Sequence, residues 1–242
     1  MSSFKPSRKY LVFSSVDSSR SAHDLWLKGG ERSFDVALYV YRGELEDDRV
    51  DYIAHRKGFK FENLYDFSVH CDLLQYEAVW VVDDDIQMQT AEIDRMFEIF
   101  SRNRLQIAQP AYAQGSYSSW ELCFVDEFYH LRFSNFCEIG VVVFSADALK
   151  RCLPVMKDVK TGFGAEYLFY KLIGEPEKGM AIIDDVVCYH PLHESSIDTM
   201  VPRSFHAREL IFLRDKYQFQ FYVPRILGGR RKAEEESTFL RR

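Results

Sequence analysis

Three consecutive carboxylates, Asp83-Asp84-Asp85, directly follow the apolar run Ala78-Val-Trp-Val-Val82. Such an unbroken apolar run is the pattern of a strand covered on both faces. In an open α/β sheet, ligands bind beyond the carboxyl ends of the strands. Adjacent carboxylates there repel one another, and burial raises the cost of ionising them. A divalent cation relieves both, and hard oxygen ligands suit Mg²⁺ or Mn²⁺, usually completed by substrate phosphates. The plain alternative is a solvated acidic loop leading into the next helix.

Two further segments could serve the same chemistry. Ile182-Ile-Asp-Asp-Val-Val-Cys-Tyr-His190-Pro191 puts a histidine after a strand-like run. A neutral imidazole there could be a third protein ligand, with His193 its nearest competitor. In Gly162-Phe-Gly-Ala-Glu166 the glycines let backbone pass close to a ligand. Glu166 opens the following helix, where its carboxylate either takes a proton from a hydroxyl or simply favours the helix N-terminus.

The elements that must position these groups are short apolar runs alternating with helical patterns, the signature of βα units. Strands are expected at 10–16, 34–41, 76–82, 105–109 (stopped by Pro110), 139–144 and 180–183. Thr90 is the expected N-cap of a helix whose stripe is Ile93, Met96, Phe97 and Phe100. Ser145 is expected to cap a helix over 146–153 stopped by Pro154, a further helix to span 164–173 up to Gly174, and another to cover 204–217. The fold class is α/β, with a Rossmann-like mixed central sheet flanked by helices. With no linker composition, residues 1–227 read as a single domain, and the charged segment 228–242 as a flexible tail.

Composition narrows the function classes. Of 242 residues, 47% are hydrophobic and 15% aromatic, ample for a buried core. A net charge of −6 argues against a nucleic-acid binder, which needs a basic face. No apolar stretch approaches the roughly 20 residues that span a bilayer, and the N-terminal segment lacks the pattern of a secretory signal. The five cysteines show no paired spacing, as expected of reduced thiols in a cytoplasmic protein.

In their order, these segments resemble the GT-A glycosyltransferase fold. The counterparts are the first strand Leu11–Asp17, the DxD-like turn Asp83-Asp84-Asp85, the strand opening Glu138-Ile-Gly140-Val-Val, the acidic helix start Gly164-Ala-Glu166, and the late histidine His190. The chain also resembles a plant and bacterial family that carries a misleading lysine-ketoglutarate-reductase trans-splicing label. That likeness rests on Ile107-Ala-Gln-Pro-Ala111, Cys137-Glu138-Ile139, Phe163-Gly-Ala-Glu166 and Ile183-Asp-Asp…His190. Phe163 and Glu166 stand where those relatives carry tryptophan and aspartate.

The resemblance implies a GT-A-like fold and a metal-dependent transfer of sugar from a nucleotide-sugar donor to a glycan or lipid-linked hydroxyl acceptor, in surface polysaccharide synthesis by family analogy. Asp85 would ligate Mn²⁺ or Mg²⁺ directly, Asp83 would face the ribose or the metal, and His190 would complete the shell. Ser14, Ser15 and Asp17 would hold the nucleoside, with Asp84 beside them, and Arg56 and Lys57 would neutralise the diphosphate. Glu166 would be the base of an inverting reaction, with Asp126 and Glu127 in reserve. Trp120 would either stack on a sugar face or pack internally. Two other readings stay open: a nucleotide-sugar-binding protein without catalysis, and a phosphatase or phosphotransferase. The latter usually has Thr or Val two residues after the second Asp, where this chain has Gln87. The basic and aromatic segment Phe219–Lys232 further suggests peripheral contact with an anionic membrane.

Overall fold

Tyr10–Asp17 (β1) is buried along its whole length, and its alternate side chains feed two separate cores. Val12 and Val16 pack on one face of the sheet, Leu11 and Phe13 on the other. Two-sided burial accounts for the unbroken apolar run Tyr10–Phe13 in place of alternation. The computed structural model describes residues 4–192 and 202–232. His193 and residues 233–242 lie outside the described residues.

Phe34–Arg42 (β2) and Ala78–Asp83 (β4) flank β1 in parallel, with Tyr10 opposite both Phe34 and Ala78. Tyr52–His55 (β3), Ile107–Tyr112 (β5), Tyr129–Ser134 (β6), Val141–Ser145 (β7), Met180–Cys188 (β8) and Ile226–Arg231 (β9) complete a sheet of order β3-β2-β1-β4-β7-β5-β8-β6-β9. Only β6 and β7 oppose the common direction. The mixed, helix-flanked sheet is therefore as expected, and the carboxyl ends of β1, β2, β4, β5 and β8 meet at one edge. Because β7 runs the other way, its beginning at Val141 arrives at that same edge.

Ala22–Trp26 (α1) and Thr90–Arg102 (α3) contribute to the first core, where Trp26, Ile93, Met96, Phe97 and Phe100 are buried. Lys60–His70 (α2), Ala146–Met156 (α4) and Ala165–Leu172 (α5) contribute Phe61, Leu64, Phe67, Leu149 and Phe169 to the second. Each large apolar side chain so buried contributes about 2 kcal/mol. Both buried indoles are satisfied: Trp26 Nε1 donates to the Ile86 carbonyl at 2.9 Å and Trp80 Nε1 to the Val141 carbonyl at 3.0 Å. Arg203–Tyr217 (α6) packs against α5, with Leu213 fully buried.

Several boundaries differ from the sequence expectation, each for a local reason. Gln89, not Thr90, caps α3, because the Thr90 hydroxyl is committed to the Trp26 carbonyl at 2.8 Å. The Gln89 amide is instead met by Glu92 at 3.0 Å. Pro110 does not end β5, since the register with β8 shifts between Pro110 and Ala111 and the missing N–H falls at that irregularity. Pro154 sits inside α4, near its end, where one lost hydrogen bond is offset by burial of Val155 and Met156. Residues 226–231, beginning just before the expected tail, pair with β6 as an edge strand. A polar, glycine-containing strand with one free edge carries no apolar signature, so composition alone read it as tail.

Candidate functional site

The acidic turn closes β4 at the ligand edge, and each carboxylate has a different setting. The Asp83 amide donates to the Gly140 carbonyl at 2.8 Å, which fastens the turn to the start of β7. Asp83 Oδ1 accepts from Lys60 Nζ at 2.5 Å, and the same ammonium reaches the Ile139 carbonyl at 2.8 Å. Asp84 is buried, accepting from the Asp17 amide at 2.7 Å, with Arg20 Nε 3.5 Å from its other oxygen. Burial pushes its carboxyl up to about 7, against the pull of the Asp17 amide and Arg20. Asp85 Oδ2 accepts from an Arg20 guanidinium nitrogen at 3.0 Å, while Oδ1 lies 3.5 Å from His190 Nε2.

His190 follows β8, and its backbone holds it to the loop after β5. Its amide donates to Ser116 Oγ at 3.1 Å and its carbonyl accepts from the Tyr117 amide at 2.8 Å. The Tyr112 and Tyr117 rings stand 5.9 and 5.7 Å from the imidazole. Burial works to lower the imidazole pKa, but the hydrogen bond and charge of Asp85, with Asp83 and Glu138 beyond, leave it above the ordinary value. Asp85 and His190, distant in sequence, thus meet as one pair.

The charge of Glu138 acts on both His190 and Glu166. Its Oε2 accepts from Ser118 Oγ at 2.8 Å, and its charge acts on His190, Asp83 and Lys60. Burial raises its carboxyl above the ordinary range. Glu166 opens α5 behind Gly164, whose φ of 96° lies in the left-handed region that glycine adopts freely. Its Oε2 accepts from the Gly164 amide at 3.1 Å. Burial, with smaller contributions from Glu138 and Glu209, pushes the Glu166 carboxyl up to about 7. Glu209 of α6 accepts from the Thr161 amide at 2.9 Å and from the Lys160 amide, so α6 clamps the loop that presents Glu166.

The remaining candidates are placed as follows. Ser14 donates to the Val82 carbonyl at 2.8 Å within the sheet, and Ser15 Oγ accepts from Asn63 at 2.9 Å. Asp17 caps the turn after β1 through the Ser19 amide at 3.0 Å and pairs with Arg42 at 3.2 Å. Arg56 bonds Asn63 and lies 3.5 Å from Asp66, both on α2, and Lys57 is exposed. The cations that meet the acidic turn are Lys60 and Arg20. Sequence reasoning missed both, although each falls in a loop or helix start at the strands' carboxyl ends, because such pairings are long-range. Trp120 packs on Phe136 with centroids 4.8 Å apart. Asp126 caps the turn before β6, and its amide donates to Asp184.

Asp85 and His190 fit two positions of a divalent cation whose other ligands come from phosphate or water. Asp83 Oδ1 is paired with Lys60 Nζ. Among the described residues, three potential ligand atoms converge within 4.8 Å at His23, Asp24 and Asp47 rather than at Asp83, Asp85 and His190. There Arg49 already bonds both carboxylates. Those residues border an open cleft of about 560 Å³ that also includes Arg20, so it adjoins the acidic turn.

No protein-family model matches the sequence, and no curated protein matches it. Among solved structures the chain is similar to S. aureus TarS 1–349, with a TM-score of 0.52 and 9% identity. The match covers 76% of this chain and 60% of that one, so the chain spans about three-fifths of the TarS structure. A second TarS structure, in complex with UDP-GlcNAc, matches with a TM-score of 0.48 and 10% identity over 80% of this chain and 61% of that one. The fold is a mixed α/β sheet flanked by helices, similar to that of TarS 1–349, with its acidic turn at the end of β4.

Proposed function

We propose that this chain is a metal-dependent glycosyltransferase that moves a sugar from a nucleotide-sugar donor to a hydroxyl acceptor. The observation that carries the reading is the pairing of Asp85 Oδ1 with His190 Nε2 at 3.5 Å, at the ligand edge of a GT-A-like sheet. A Mn²⁺ or Mg²⁺ ion held by Asp85 and His190 would supply Lewis-acid stabilisation of the departing diphosphate.

The chain's own residues do the rest. The end of β1, with Ser15 and Asp17, and the adjoining cleft beside Arg20 receive the nucleoside. Lys60, with its side chain 12% exposed, contributes positive charge near the diphosphate. Glu166, with its carboxyl near 7, accepts the proton of the acceptor hydroxyl. The acceptor oxygen then bonds to the anomeric carbon as the bond to the diphosphate breaks, inverting that centre. The finer likeness to the mislabelled plant and bacterial family, carried by segments such as Ile107–Ala111 and Phe163–Glu166, favours a glycan or lipid-linked acceptor.

A second reading is favoured by Lys60 and Arg20, which already balance Asp83 and Asp85. It is a nucleotide-sugar-binding protein without turnover. Thermal shift with nucleoside diphosphates and Mn²⁺ tests the donor site, since a ligand that binds only the folded state raises its stability. Stabilisation greatest with both present, followed by turnover of a nucleotide sugar that chelator abolishes, supports the enzyme. Stabilisation without turnover supports the second reading, and no stabilisation by any nucleotide refutes both.

A further inference from the structure

Large apolar side chains left on the surface gather in one stretch of the chain. Among the described residues twelve are exposed, and five of them, Ile211, Phe212, Phe221, Val223 and Ile226, fall between 211 and 226. The helix α6 turns His206, Glu209 and Leu213 inward, and Arg208, Ile211, Phe212, Asp215 and Lys216 outward. Ile211 and Phe212, each 48% exposed, stand in the middle of that outward face. Such a face is ordinarily polar, because an apolar side chain left in water gains nothing from folding. Arg214 links Phe221 to the helix, its guanidinium 5.9 Å over the ring, and Lys216 lies 5.4 Å over the ring of Phe212. Val223, 79% exposed, is two residues beyond Phe221.

The charge around this patch is basic in an acidic protein. Residues 203–232 hold eight Arg and Lys against two Asp and Glu, while the whole chain carries −6. Arg214 and Lys216 are each met by a carboxylate, Asp215 at 2.7 Å and Asp158 at 2.8 Å. Arg208, one turn before Phe212, and Arg225, two residues after Val223, are exposed and join no ion pair among the described residues.

We infer that the outward face of α6, together with Phe221 and Val223, is a docking surface for an anionic lipid membrane. Apolar groups interleaved with Arg and Lys suit a helix lying in the interface, where the apolar groups sink to the acyl boundary and the cations meet the headgroups. A free polyanion would meet the cations and leave Ile211, Phe212 and Val223 in water. A second copy of the chain would cover the apolar groups but bring like charges together. An anionic bilayer satisfies both parts, the charge gathering the protein at the surface and the apolar groups holding it there. Where the sequence suggests contact only over 219–232, the fold adds α6. Glu209, on the inward side of that helix, holds the Thr161 and Lys160 amides of the loop that presents Glu166. The face that meets lipid and the loop that carries the candidate base are thus held by opposite sides of one helix.

Flotation of the full chain at low salt, with vesicles of phosphatidylcholine alone or with about a third phosphatidylglycerol, tests this. Wild type should bind the anionic vesicles about tenfold or more better than the neutral ones. The double variants Ile211→Gln/Phe212→Gln and Arg208→Gln/Arg225→Gln should each weaken that binding by about tenfold or more. Both should melt within about 3 °C of wild type, since exposed side chains contribute little to the fold. No binding by wild type, equal binding to neutral vesicles, or binding undiminished by the apolar change would each overturn the inference. A melting temperature lowered further by the apolar change would show those side chains packed within the fold, and would overturn it too. So would a wild-type dimer, seen by sedimentation, that the apolar change dissociates, because the face would then belong to a second copy. Vesicle binding needs neither donor nor metal, so failure here leaves the glycosyltransferase reading standing.

Discussion

Replacing Glu166 by Gln separates two consequences of one partly buried carboxyl, its chemistry and its cost to the fold. Gln keeps the size of the side chain and an oxygen for the Gly164 amide, which Glu166 accepts at 3.1 Å. What it removes is the charge. Burial moves the carboxyl from its ordinary 4.5 to about 7, so the folded state favours the protonated form. The folded chain therefore holds more protons than the unfolded chain between those values, and this group's contribution to stability is present below about pH 4.5 and is lost as pH rises through about 7. At about 1.4 kcal/mol per unit of pH, the full cost at pH 8 is about 3 kcal/mol, less whatever solvent screening removes. Glu166→Gln should match wild type in stability near pH 4.5 and exceed it by about 2–3 kcal/mol at pH 8, or about 5–10 °C in melting temperature. Asp84, also raised to about 7, is present in both proteins and cancels in the difference. Turnover should fall about 10²-fold or more with donor affinity retained, and the wild-type rate should climb through about pH 7 as the base is freed. Urea unfolding of both proteins across that range, beside pH–rate profiles, is the assay. Parallel stability curves would refute the burial argument, and undiminished turnover would refute the base assignment and turn attention to Asp126 and Glu127.

Asp85→Ala should abolish turnover with the fold retained, checked by circular dichroism and by activity in excess metal; full activity would remove the metal-site reading. Gly164→Ala should lower the melting temperature by several degrees, since a side chain at φ 96° is strained and its Cβ would lie 2.6 Å from Leu210 of α6. Calorimetric melting reads this, and an unchanged value would mean that the loop presenting Glu166 relaxes freely. Peripheral membrane contact would rest on Arg230, Arg231 and Lys232, at about 1 kcal/mol per charge near an anionic surface. Because residues 226–231 pair with β6, the test is replacement of those three cations by Gln, with deletion starting only at 233. Flotation with anionic vesicles at low salt should be lost in that variant, and equal flotation would end the proposal.

The buried strands β1, β2 and β4 and the stripe of α3 were legible in the sequence, because two-sided burial leaves an unbroken apolar run and helical burial leaves a period of 3.6. The acidic turn, the late histidine and the glutamate opening α5 were legible as residue types at element ends. Elements held mainly by tertiary contact were not: β3 is only four residues long and partly exposed, and β9 is a polar edge strand. A proline within β5 hid the strand's second half, because the irregularity that tolerates it is a property of the pairing with β8. The same distinction runs through the site. Three adjacent carboxylates made a demand for positive charge plain from the sequence alone, but the identity of the cations that meet it was decided only when α2 and the loop after β1 packed beside the turn. Lys60 lies 23 residues before Asp83, and Arg20 lies 65 before Asp85. Whether Asp85 meets His190 and whether Glu166 is pushed to about 7 depend likewise on neighbours from other elements. Local sequence carries periodicity and capping, which act over a few residues; the charge, burial and spacing that set reactivity are sums over groups that only the folded sheet brings together.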